Sequence, residues 1–333
     1  MSLDRLPAIL KLQMIQTSAS TSTAIPLVAV ACDVCGQETQ TITVANGVDF
    51  EYATCSNSFS IVRCNECGLH YLNPRPEIST LNIIYPPSYE PFHFHESANP
   101  FIKYGRAFVQ KKKVKAISRL VPPDASIIDV GCGSGYLLSL LKRYGSPDWK
   151  LYGNDFSEVS LANLERLEIE AIAGRFEALD TAHKFDLIIL NQTIEHLDSP
   201  SRVVEKASHL VKPGGALFIE TPSTEGLDAR LFRSRYWGGY HFPRHWSLFS
   251  ESSLRKLVEM HGFENVQVEY LASPAFWVQS LHHMLLDRNY PAWAINFWTI
   301  RNPAALAVFT LLDTVSARLA RTSNVRLVAR KRR

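Results

Sequence analysis

The chain has 333 residues, 46% of them hydrophobic and 20% charged, the usage of an ordinary folded protein, which excludes a disordered, collagen-like or acidic solvating chain. That length is about twice the ~150-residue norm for a domain, so one large domain with a smaller attachment is expected. With 35 Lys and Arg against 32 Asp and Glu the net charge is only +3, which disfavours a nucleic-acid partner, although Arg318 to Arg333 carries seven basic residues and no acidic one.

Residues 1–31 hold a short amphipathic pattern, Leu6 to Ile15, then a Thr/Ser run, and read as a flexible leader. The apolar patch Ala24 to Ala31 lacks the adjacent basic residues of a secretory signal. The best apolar run, Pro303 to Leu312, falls short of the ~18 residues a spanning helix needs. A cytoplasmic protein is the expectation. Residues 32–76 form a β-rich module with two Cys-x-x-Cys pairs, and the prolines of residues 77–99 mark a connector.

From residue 100 to 271, strand and helix patterns alternate. A helix over Phe101 to Leu120 stops at Pro122-Pro123. Strands are predicted at Ser126–Val130, Lys150–Asp155, Glu170–Ala173, Phe185–Asn191, Ala216–Thr221 and Asn265–Leu271. Helices are predicted at Tyr136–Arg143, Glu158–Leu167, Ser201–Leu210 and Glu251–His261. Strands separated by helices pair in parallel through right-handed crossovers, so the fold class is α/β. Residues 272–322 are aromatic and helix-compatible, and residues 323–333 hold a last strand and a basic tail.

Ile127-Ile128-Asp129-Val130-Gly131-Cys132-Gly133-Ser134-Gly135-Tyr136 reads as a buried strand, a glycine turn and a helix start. It is not a dinucleotide fingerprint, because Tyr136 stands where the third glycine belongs and Asp129 would repel a pyrophosphate; nor does the Gly-Lys-Ser/Thr of a P-loop follow. A carboxylate before a tight glycine turn suits a ligand with an ammonium group, and Asp155, ending the next strand, suits a ribose diol. Together they describe S-adenosylmethionine.

The stretch from about Ser126 to Thr221 resembles the class I S-adenosylmethionine-dependent methyltransferases. Asp129 to Gly135 is similar to their first motif and Tyr152 to Ser157 to their ribose-binding loop. Phe185-Asp186 with Asn191 to His196 is similar to the fourth-strand region, and Leu210 to Gly215 to the turn before the fifth strand. The resemblance implies a Rossmann-like seven-stranded sheet whose last strand is antiparallel, preceded by a helical insert. It implies a cofactor site of Asp129, Gly131, Gly133, Gly135, Asp155, Phe156, Glu177, Asn191 and Glu195. Arg175 departs from the family's Gly-Asp-Ala, leaving adenine to backbone groups or Glu177. Glu195 and His196 border the methionine end or act as capping and core residues.

Cys32-x-x-Cys35 and Cys64-x-x-Cys67 offer four thiolates on two knuckles, the tetrahedral set that zinc accepts; a closed thiolate shell makes the metal structural. His93 and His95 are weaker ligand candidates. The zinc-ribbon-like module with Cys67-Gly68-Leu69-x-Tyr71-x-Asn73-Pro74-Arg75-Pro76 resembles bacterial methyltransferases associated with sugars, polysaccharides or natural products. Such methyltransferases imply an oxygen or carbon acceptor on a small molecule or glycan. The segment Tyr236 to Ser250 then supplies the candidate catalytic residues Tyr240, His241 and His245, with Arg244 as an anion clamp. Lys111, Lys112, Lys113 and Lys115 read as a solvated helix face, and the insert as a cap on the acceptor pocket or, with the basic tail, a peripheral contact with an anionic inner-membrane surface. A zinc-ribbon RNA methyltransferase and a non-enzymatic cofactor-fold interaction protein are the alternatives.

Overall fold

The computed structural model describes residues 23–86, 89 and 111–332. The leader helix, His93, His95, most of the connector and the start of the helix expected from Phe101 lie outside the described residues.

Strands β1 (Leu27–Val28), β2 (Thr41–Gly47), β3 (Phe59–Cys64), β4 (His70–Leu72) and β5 (Arg75–Pro76) belong to the N-terminal module. The following strands are β6 (Ser126–Val130), β7 (Lys150–Asp155), β8 (Glu170–Ala173), β9 (Phe185–Asn191), β10 (Val211–Pro222), β11 (Ser247–Leu248), β12 (Phe263–Tyr270) and β13 (Asn324–Lys331). Seven of them form one sheet in the order β12-β13-β10-β9-β6-β7-β8. β13 runs antiparallel to both β10 and β12, and the remaining neighbours are parallel, as expected for a Rossmann-like methyltransferase sheet.

Burial explains the strand patterns. β6 is buried on both faces and reads as a continuous apolar run, whereas β12 at the sheet edge alternates between inward and outward residues. Ile127, Leu187, Ile189 and Phe218 pack on one face with Leu138 and Leu141 of the helix Tyr136–Tyr144. Ile128, Ile188, Leu190 and Ile219 pack on the other with Val203 and Val204 of Pro200–Leu210 and Leu254 of Glu251–Met260. The chain reverses at β6, where β7 lies on one side and β9 on the other, so a crevice opens at the carboxyl ends of these strands.

The N-terminal module is joined closely to this sheet. Cys32, Val34, Cys64, Leu69 and Tyr71 share a continuous apolar cluster with Ile128 and Leu190. Strand β11, from beyond residue 240, completes the small sheet β11-β4-β3-β2. Asp33 also accepts hydrogen bonds from Ser199 Oγ and Ser201 N at the start of the helix Pro200–Leu210. The insert after β12 forms the helices Pro274–Asp287, Ala292–Phe297 and Pro303–Leu319.

Candidate active site

The glycine turn leaves β6 with Gly131, Gly133 and Gly135 all at positive φ. Its amides are directed inward: Gly131 N and Cys132 N donate to Asn154 O, and Gly133 N donates to Asp155 Oδ2 at 2.9 Å. This is the physical reason the turn is no phosphate cradle, since the donors a phosphate would need are already spent. A Cβ at Gly133 would project into open space, and one at Gly131 would strike Thr193 Cγ2 at 2.5 Å. Ser157 N donates to Asp155 Oδ1 at 2.9 Å, which fixes the carboxylate at the cleft wall. Phe156 is 68% exposed beside it, an aromatic face available to a flat ring.

Deeper in the cleft stand two buried carboxyl groups. Burial raises Asp129 to about 8, opposed by the charge of Lys113 and reinforced by that of Asp155. Lys113 itself is buried, donates to Asn191 Oδ1 at 2.6 Å and pairs with Glu220. Burial also raises Glu195 to about 8; Thr221 Oγ1 donates to its Oε2 at 2.8 Å, while its Oε1 has no partner. Asp129, Asp155, the open surface of Gly133 and Phe156 fit the amino-acid, ribose and adenine parts of S-adenosylmethionine.

The same cavity, about 950 Å³, extends from the glycine turn to a cluster of aromatic and imidazole rings. His196, His241 and His245 line it together with Tyr85, Tyr89, Trp246, Phe276 and Gln279. His196 and His245 stand edge to face with centroids 4.6 Å apart, and His241 and His245 are 4.9 Å apart. His245 Nδ1 meets Gly239 O at 2.7 Å, and burial with the charges of His196 and His241 holds the ring neutral, well below its usual range. His196 is lowered to about 3, by burial first and then by the charge of His241. His241 has a left-handed backbone (φ 40°), with Nδ1 2.7 Å from Glu51 Oε1 and Nε2 3.3 Å from the Tyr89 hydroxyl.

The structure assembles most of the expected site residues and separates a few. Asp129, Gly131, Gly133, Asp155, Phe156, Glu177, Asn191, Glu195, His241 and His245 line one cavity. Gly135 does not. Its Cα faces Leu167 and Leu164, 3.0 and 3.1 Å from where a Cβ would lie, so it serves helix packing. Tyr240 is also turned away: its hydroxyl donates to Arg233 O, and it lines a separate cavity of about 210 Å³. Arg244 is no anion clamp, because it is fully buried and its guanidinium donates to both carboxylate oxygens of Asp49, to Ile84 O and to Phe242 O. Lys113 leaves the solvated face assigned to it, drawn inward by Glu220 and Asn191. Glu177 is held by Arg175, which also binds Asp198. Lys113, which lines the cleft, and Glu51, which is bonded to His241 behind it, were not read from sequence as functional. The apolar Val114 and Ile117 on the helix at 111–118 place Lys113 beside the buried face, a signal available in the sequence.

Cys32, Cys35, Cys64 and Cys67 bring their sulfurs within 4.8 Å of one another, with Cys32–Cys67 and Cys35–Cys64 at 3.4 Å. Thiolates around a tetrahedral ion with ~2.3 Å metal–sulfur bonds stand about 3.8 Å apart. The cluster therefore fits a zinc-ribbon module.

Comparison with known proteins agrees with this geometry. Residues 104–268 match the family model described as a methyltransferase domain. The ubiquinone biosynthesis O-methyltransferase of Colwellia psychrerythraea is 34% identical over 106 residues, covering 29% of this chain and 42% of that protein. The mitochondrial ubiquinone biosynthesis O-methyltransferase of Dictyostelium discoideum is 31% identical over 144 residues, covering 37% of this chain and 44% of that protein. The chain thus spans less than half the length of these relatives. A solved complex of the Haloferax volcanii Trm112 methyltransferase activator with a methyltransferase superposes with a TM-score of 0.50 at 18% identity, covering 73% of this chain and 98% of that one, a likeness of fold. With the glycine turn, Asp155 and the seven-stranded sheet already in view, residues 104–268 form a methyltransferase domain of the class I S-adenosylmethionine-dependent fold.

Proposed function

We propose that the protein methylates an oxygen of a small molecule or glycan, with a carbon acceptor as the alternative. The observation that carries this reading is the single cavity joining Asp129, Gly133 and Asp155 to the cluster of His196, His241 and His245. Bound S-adenosylmethionine supplies an electrophilic methyl group on a sulfonium. The protein's task is alignment, exclusion of water and removal of a proton from the acceptor.

Asp155 and the Gly133 surface hold the ribose, and Asp129 lies toward the amino-acid end. Tyr85, Trp246 and Phe276 line the acceptor side with aromatic surface. His241 Nε2 would take the acceptor's hydroxyl proton as the methyl group that the bound cofactor would supply is transferred to that oxygen. His245, neutral and buried, orients the acceptor. The four cysteines hold one structural zinc ion. Labelled cofactor screened against phenols, nucleotide sugars and lipid-linked sugars tests the reading. Transfer to a hydroxyl, lost in His241→Ala with cofactor affinity kept, supports it. No transfer to any acceptor removes it. Metal analysis finding no zinc in protein purified without chelator removes the zinc assignment.

A peripheral membrane contact belongs to the same proposal. Val308, Leu311, Val315 and Leu319 are exposed on the helix Pro303–Leu319, and Trp293 is 78% exposed on its neighbour. Among the described residues no helix is long and apolar enough to cross a membrane.

A further inference from the structure

The loop between β2 and β3 belongs to the cysteine-bearing module, yet it grips the segment that lines the methyl-transfer cavity. Two acidic residues do this. Asp49 receives the Arg244 guanidinium in a fully buried pair, and Glu51 Oε1 receives His241 Nδ1 at 2.7 Å. The loop cannot drift, because Tyr52 N and Thr54 N donate to Asp49 as well. At its start, a Cβ on Gly47 would lie 2.3 Å from the Phe242 ring, so module and active-site segment are packed tightly here.

Resting on the methyl-transfer reading, we propose that Glu51 is a positioning residue that fixes the tautomer and orientation of His241, so that the N-terminal module completes the active site. The hydrogen bond places the imidazole proton on Nδ1 and leaves the Nε2 lone pair toward the cavity, where Tyr89 now stands at 3.3 Å. His241 sits in a left-handed backbone conformation that non-glycine residues rarely adopt, with its ring bonded to Glu51. Glu51 is itself held from the other side: Gln279 Nε2 donates to its Oε2 at 3.4 Å, and His283 Nε2 is 3.9 Å from Oε1. Phe50 stacks on His283 with centroids 5.0 Å apart. Burial opposes the Glu51 charge, yet its pairing with His241 and the nearby Arg244 guanidinium draw the carboxyl below its ordinary value. An ionised carboxylate behind the imidazole stabilises the imidazolium formed when the acceptor's proton arrives, the role of the acid in a nucleophile–base–acid triad.

The test uses the full-length protein with histidine side chains labelled with nitrogen-15. Wild type is expected to show His241 protonated at Nδ1, and Glu51→Ala to lose that preference. Finding the Nε2-protonated form in wild type overturns the proposal, whether or not an acceptor has been identified. With an acceptor in hand, Glu51→Ala should lower kcat by ~100-fold, the scale of one general-base contribution. Acceptor KM and cofactor affinity should stay within about twofold, and Glu51→Asp should recover part of the rate. Wild-type kcat in Glu51→Ala, or a loss accompanied by lost cofactor affinity, refutes it. Absence of any turnover in wild type instead defeats the methyl-transfer reading, and the nuclear magnetic resonance result still decides the Glu51 pairing.

Discussion

Asp155 accepts two backbone hydrogen bonds, from Gly133 and Ser157, and so arrives at the cleft already oriented. Removing it costs both the turn's anchor and a charged acceptor. At ~1.5–3 kcal/mol for a hydrogen bond to a charged group, Asp155→Ala should weaken cofactor binding by about 10- to 100-fold in calorimetry; unchanged affinity would clear Asp155 of contact. Glu195 makes a different prediction. Its raised value, about 8, means the folded protein keeps a proton that the unfolded chain releases near the ordinary 4.5. Stability from this group is complete below pH ~4.5 and declines as pH climbs toward 8. Glu195→Gln should abolish that decline, gaining on wild type between pH 5 and 8 in urea unfolding without ligand. Parallel pH curves for the two proteins would contradict the assignment. His241 and Tyr240 show how much one backbone angle decides. They are neighbours in sequence, but the left-handed turn at His241 sends its ring to the cavity while Tyr240 faces Arg233.

Among the elements, the segment over residues 238–248 is tied to the N-terminal module. Arg244 and Asp49 are both fully buried, and β11 pairs with β4. A buried pair broken on one side leaves an uncompensated charge, so Arg244→Ala should destabilise the fold by ~3–5 kcal/mol. Chemical denaturation measures this; near-native stability would show that Asp49 finds another partner or a proton. The core strands need no such help. Ile127 to Val130 and Phe185 to Asn191 are apolar runs whose burial on both faces follows from composition, and the glycine turn between strand and helix marks the site. Lys113 was misread because a lysine run looks solvated, while the pull of Glu220 comes from a strand more than 100 residues away.

For the molecule as a whole, the question is what the exposed apolar helix meets. Val308, Leu311, Val315 and Leu319 with Trp293 present an apolar surface on the helical insert. If this face rests on an anionic bilayer, the protein should sediment with vesicles containing acidic lipid and be released by salt, and Leu311→Glu with Leu319→Glu should weaken that binding at least fivefold, because each buried apolar side chain contributes ~1.5–3 kcal/mol. No sedimentation at low salt would leave the face without this role.

The order of strands and helices, the glycine turn with its two carboxylates and the paired cysteine knuckles were all readable along the chain, because each depends on neighbours within a few residues: periodicity, turn geometry, ligand spacing. The grip of Glu51 on His241, 190 positions apart, could not be read that way. Neither could the burial of Arg244 or the exclusion of Tyr240 from the cleft. Those follow from which side chains the closed sheets bring face to face, and desolvation makes each polar group there find the one partner that folding places beside it.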